Sequence, residues 1–169
     1  MLNNEKINEF ISTIKRNYKE TKNFLIENPT SLAGSIRATL EFAVKLFWLK
    51  KYDKEPVWVV NDKEAFNLHN AIKDEKFSKC FNDFLISDMH AIRQTCNDIL
   101  HNGKELTMDT AKELSERLEK CIQAIEETLE LRIITSKNHT KELSNGFQPQ
   151  DTTTNKSVPK YRTSANEER

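Results

Sequence analysis

Arg93, Asn97 and His101 stand four residues apart in the stretch running from Met89 to Gly103. On a helix that spacing drifts only about 40° per step, so the three side chains form one polar stripe. Met89, Ile92, Cys96 and Ile99 form an apolar stripe roughly 100° away, which puts the polar groups at the edge of a packed face. A guanidinium, an amide and an imidazole in that arrangement suit phosphate chemistry. The planar fork of Arg93 can clamp an oxyanion. An imidazole is the side chain suited to acid–base work near neutral pH, so His101 can act as a general acid or base on a 2′-hydroxyl, or as a phosphate ligand. Cys96 would need an activating base to be a nucleophile, and none is identifiable, so it reads as a small core residue.

Each of these groups also has an ordinary structural reading. His101 near a helix end can interact with the last carbonyls and the negative end of the helix dipole. Asn97 can bond a backbone group or orient His101. Arg93 can pair with Glu41 of the preceding long helix and lock the helices together, and this is the favoured reading. Arg37 and Glu41 are spaced as an i, i+4 pair, and Lys45 continues their line. Glu41, Arg37 and Arg93 are therefore the expected structural polar cluster. Arg93, Arg37 and Lys45 are the candidate nucleic-acid contacts; Lys45, Lys50 and Lys51 could add a basic rim, with a solvated face as the favoured reading of the three. His69 and His90 read as residues at the edge of the core.

The elements that must position these groups are helices. Only three glycines and four prolines in 169 residues imply few turns. Ile7, Phe10, Ile11, Ile14, Tyr18, Phe24 and Leu25 recur at helical spacing and predict a helix over 3–27. A second helix is predicted over 31–53, capped by Thr30 or Ser31 after Pro29. It is apolar almost all the way round (Leu32, Ile36, Leu40, Ala43, Phe47, Trp48 and Leu49) and should run through the centre of the domain. Gly34 in it is expected to mark a close helix contact. Residues 54–61 are ambiguous, with Val57 to Val60 as a short extended run. Asn61 or Asp62 should cap a helix to about Lys73, followed by a short helix over 74–83. The central helix should begin at Ser87 or Asp88 and stop at Asn102-Gly103. A last long helix is predicted over 108–136, with Ala111, Leu114, Leu118, Cys121, Ile125 and Leu129 inward. Residues 138–169 are rich in polar residues and read as a disordered tail. The fold class expected is all-α, four main helices with short covering helices.

Bulk composition narrows the function classes. Lys plus Arg and Asp plus Glu are each 26, so net charge is zero and no global field favours nucleic acid. Any basic patch must come from placement. Three widely spaced cysteines with no C-x-x-C pair argue against zinc or disulfide frameworks and for reduced thiols in the cytoplasm. The reading includes no metal and no cofactor. The run from Leu40 to Leu49 is interrupted by Glu41 and Lys45 and is too short to span a bilayer, so no membrane association is expected.

Two stretches together resemble a known family. Ser35-Ile36-Arg37-Ala38-Thr39-Leu40-Glu41-Phe42-Ala43-Val44-Lys45 is similar to the R-x-x-L-E helix of HEPN-like domains of the uncharacterised class also found at the N-terminus of type I restriction-enzyme R subunits. His90 to His101 is similar to the signature helix of that class, which runs as Arg, three residues, Asn, three residues, His. The resemblance covers roughly residues 5–135. It implies a four-helix HEPN-like bundle, often a homodimer, in prokaryotic defence, restriction or toxin systems. It implies RNA or another nucleic acid as ligand, and a larger nuclease or defence protein as partner. Catalytic members are metal-independent endoribonucleases, which would assign His101, Asn97 and Arg93 as catalytic residues. Their motif places arginine directly before the polar residue. Here Cys96 holds that place and Arg93 sits one turn earlier, which points to binding or structure ahead of cleavage.

Overall fold

The computed structural model describes residues 2–27, 29–60 and 63–134. The expected disordered tail over 138–169 and the domain boundary at 137 lie outside the described residues. In order, the elements are α1 (Leu2–Glu27), α2 (Pro29–Tyr52), β1 (Trp58–Val60), β2 (Lys63–Ala65), α3 (Leu68–Lys73), α4 (Glu75–Ser78), α5 (Asp83–Asn102) and α6 (Met108–Leu129). Helices hold 78% of these residues, so the all-α expectation agrees with the structure.

The apolar α2 is the hub, packing against α1, α3, α5 and α6. Leu32, Ile36, Leu40, Ala43, Val44, Leu46 and Phe47 on it are fully or almost fully buried. From α5 come Met89, Ile92, Cys96 and Ile99, the apolar stripe read from the spacing. From α6 come Ala111, Leu114, Leu118, Cys121, Ile122 and Ile125. Among the described side chains of α1, Phe10, Ile14 and Thr21 are buried. Hydroxyls stitch α1 to α2. Ser35 Oγ donates to Asn17 O at 3.0 Å, Thr21 Oγ1 donates to the same carbonyl at 2.9 Å, and Thr39 Oγ1 turns back to Ser35 O at 2.6 Å. At the far side Arg117 of α6 bonds Asp88 of α5 at 2.6 Å and Glu113 on its own helix at 2.6 Å.

Several boundaries differ from expectation, each for a local reason. α2 begins at Pro29, ahead of Thr30 and Ser31, because the first turn has no use for the amide hydrogen that proline lacks. The helix expected from Asn61 or Asp62 to about Lys73 is present only over its second half, as α3, and residues 63–65 form a strand instead. β1 and β2 pair antiparallel, with Trp58 opposite Ala65 and Val60 opposite Lys63. α3 starts only at Leu68, where Asn67 accepts from Asn70 N at 3.1 Å. α5 starts at Asp83, several residues before Ser87, because the side chain of Asn82 caps it by accepting from Leu85 N at 2.9 Å. α5 ends as expected, with Gly103 left-handed at φ 66° and its N–H on Asp98 O.

α6 stops at Leu129, short of 136. Glu130 takes a left-handed φ of 53°, and the chain folds back onto the helix. The buried carboxylate of Glu126 accepts the amides of Ile133 and Ile134 through Oε1, and Ile133 is buried beside it. The close helix contact expected at Gly34 is also absent. A Cβ there would meet only Leu100 Cδ2, at 3.9 Å, which is ordinary contact. No helix among the described residues is long and apolar enough to cross a membrane.

Candidate functional site

The polar lines of α2 and α5 meet across their packed interface. Residues 37, 41 and 45 fall on one line of α2, and 90, 93 and 97 share a face of α5 within about 60°. The connector that enters α3 closes the third side. Together they line a pocket of about 210 Å³ with Arg37, Glu41, Phe66, Asn67, Leu68, His69, Arg93 and Asn97.

Arg37 Nε donates to Asn97 Oδ1 at 2.8 Å, which ties α2 to α5 at the pocket floor. Glu41 is held by Lys45 at 2.8 Å, and Arg37 Nη1 lies 3.8 Å from its other oxygen. Lys45 stands over the Phe66 ring at 4.7 Å. The pair expected between Arg93 and Glu41 does not form. Among the described residues Arg93 has no ion pair, and its Nε is buried without a hydrogen-bond partner.

His69 lines the pocket, and His90 lies against it with ring centroids 5.2 Å apart and ring planes tilted by 56°. Nδ1 of each is buried without a protein partner. Burial pushes both imidazoles below their ordinary range. Arg93 and Lys73 push the same way, and His69 adds to the effect on His90. Both rings are therefore kept neutral beside a cation.

The hydrogen-bond polarity of the lining is one-sided. Asn97 uses its oxygen on Arg37 and Asn67 uses its oxygen as the cap of α3, so each amide has its NH₂ group left as a donor. Two guanidinium groups add only donors. The single carboxylate is already engaged by Lys45 and Arg37. Such a lining suits an oxyanion. It offers no cysteine or hydroxyl nucleophile: Cys96 is buried in the core outside the lining, where burial pushes its thiol up to about 12.

Of the residues singled out in the sequence, Arg37, Glu41, Arg93 and Asn97 are brought together here. Lys45 sits beside them at Phe66. His101 is exposed at the end of α5 and does not line the pocket. Eight residues separate it from Arg93, about 12 Å along the helix. Lys51 turns away to Cys80 Sγ at 3.2 Å, and Lys50 is exposed. Sequence reasoning missed Asn67 and His69 as lining residues and His90 as their support. His90 could have been found, because it precedes Arg93 by three and Asn97 by seven on one helix face. His69 had no comparable signal, since its position depends on how the connector folds.

Among the described residues no group of three or more His, Cys, Asp or Glu side chains could hold a metal ion. No family model matches the chain, and neither a curated protein nor a solved structure matches it.

Proposed function

We propose that this chain is a HEPN-like four-helix module that binds RNA through the pocket between α2, α5 and the 66–69 connector. Its setting would be a cytoplasmic prokaryotic defence, restriction or toxin system with a larger nuclease or defence partner. It would act as a homodimer whose two polar stripes face a shared cleft. The observation that carries the reading is Arg93, a guanidinium in a pocket with no carboxylate paired to it. A structural arginine in a packed interface is normally paired, because an uncompensated cation there is costly. A ligand phosphate would supply the missing charge.

Metal-independent cleavage through His101 is the weaker reading. The imidazole is two turns from Arg93, and Cys96 stands where catalytic members place arginine.

Salt-dependent binding of a structured RNA, measured alongside melting temperature, tests the proposal. Arg93→Gln should weaken binding about tenfold and lower the salt slope by roughly one, with little change in melting temperature. Binding that is absent at low salt, or unchanged in Arg93→Gln, would remove the reading. Metal-free cleavage lost in His101→Ala would favour the ribonuclease instead.

A further inference from the structure

We infer that the pocket takes a terminal phosphate, the phosphomonoester at the end of an RNA strand, in preference to a phosphodiester within it. This deepens the proposed function and rests on it.

The first argument is charge. Arg37, Arg93 and Lys45 face one carboxylate, Glu41, so the pocket and its rim carry a surplus of two positive charges. A phosphodiester brings one negative charge. A phosphomonoester brings about −1.5 to −2 at neutral pH, with one more strong acceptor oxygen. Only the monoester approaches balance.

The second argument is donor count. The two guanidinium groups and the free NH₂ groups of Asn67 and Asn97 converge from three chain segments, and His69 can add an N–H. That set outnumbers what the two non-bridging oxygens of a diester can use. A monoester presents three equivalent oxygens, which can accept from several sides at once. The asparagine oxygens, engaged elsewhere, do not repel it.

The test compares one short single-stranded oligoribonucleotide with a 5′-phosphate, with a 3′-phosphate, and with hydroxyls at both ends, on the full chain. One phosphorylated form should bind about tenfold tighter than the hydroxyl form, the gain of one charge-assisted contact. Millimolar inorganic phosphate should compete that advantage away, and Arg93→Gln should abolish it.

Asn97→Asp supplies a second variant whose fold is protected. It keeps an oxygen for Arg37 Nε and replaces the NH₂ donor with a negative oxygen, so it too should abolish the advantage. Equal binding of all three oligonucleotides, still weakened by Arg93→Gln, would overturn the terminal-phosphate inference and leave RNA binding standing. A nucleoside monophosphate that binds as tightly as the phosphorylated strand would overturn the strand end in favour of a free nucleotide. No binding of any oligonucleotide would remove the underlying reading itself.

Discussion

Arg37 and Asn97 lie 60 residues apart in the chain and meet through a 2.8 Å bond from Nε to Oδ1. The bond does two things. It ties α2 to α5, and it turns the amide of Asn97 so that its NH₂ group is left as a donor. Asn97→Ala should therefore cost about 1 kcal/mol, the usual net value of such a bond where water can replace it. For a domain of this size that is a fall of roughly 3–5 °C in Tm. Asn97→Asp should keep most of the stability, because an oxygen still accepts from Arg37. Thermal unfolding of the two variants side by side checks this, and equal losses would show that the bond is not what matters.

The adjoining imidazoles of His69 and His90 make stability depend on pH. Both are held below their ordinary value of 6.5, by burial first. The unfolded chain titrates near 6.5, so below that pH it takes up protons that the folded chain refuses. Their contribution is fully present above 6.5 and is lost as pH falls from there through the lowered folded values. Melting temperature should decline from about pH 6.5 downwards, and the His69→Gln/His90→Gln double variant should decline less steeply. A double variant that tracks the parent protein over that range would assign the decline to other groups.

The buried carboxylate of Glu126 is the end-stop of α6. Its Oε1 accepts the amides of Ile133 and Ile134 after the helix has ended. Glu126→Ala leaves those amides without that acceptor in an apolar setting and should cost about 2–3 kcal/mol, whereas Glu126→Gln retains an oxygen and should cost clearly less. Urea unfolding at fixed protein concentration measures the difference.

Gly34 is open to improvement. It lies inside α2 and takes no unusual backbone angle, and the nearest side-chain atom to an added methyl is the flexible end of Leu100, at 3.9 Å. Gly34→Ala should stabilise the chain by about 0.5–1 kcal/mol, the helical preference for alanine. A fall in Tm would mean that the helices need a closer approach than this geometry shows.

These residues also show what a single sequence can and cannot reveal here. The inward faces of α2, α5 and α6 were legible because their apolar residues repeat at helical spacing over many turns. So were Arg37, Glu41, Arg93 and Asn97, which share those helices with the core. The β-hairpin was not legible. Lys63, Glu64 and Ala65 are all exposed, so β2 carries no alternation of apolar and polar residues. Only its pairing with β1 makes it a strand. Ser87 and Asp88 looked like caps, but Asn82 takes that role. The first turn of α5 gave no periodic signal, since Phe84 is 85% exposed. The partner of Arg93 was misjudged because spacing within α2 cannot say that Glu41 turns towards Lys45. His69 entered the pocket through a fold of the connector that no local pattern encodes.

The three thiols occupy different depths of the molecule. Cys80 is half-buried, while Cys96 and Cys121 are enclosed and burial pushes each of them up to about 12. Cys80 can meet an alkylating reagent in the folded chain. The other two can react only after the long helices part. Their labelling rates therefore form a built-in clock for separation of α5 from α2 and of α6 from its neighbours. An occupant of the pocket that bridges α2 and α5 slows the Cys96 clock, with no need to follow the occupant itself.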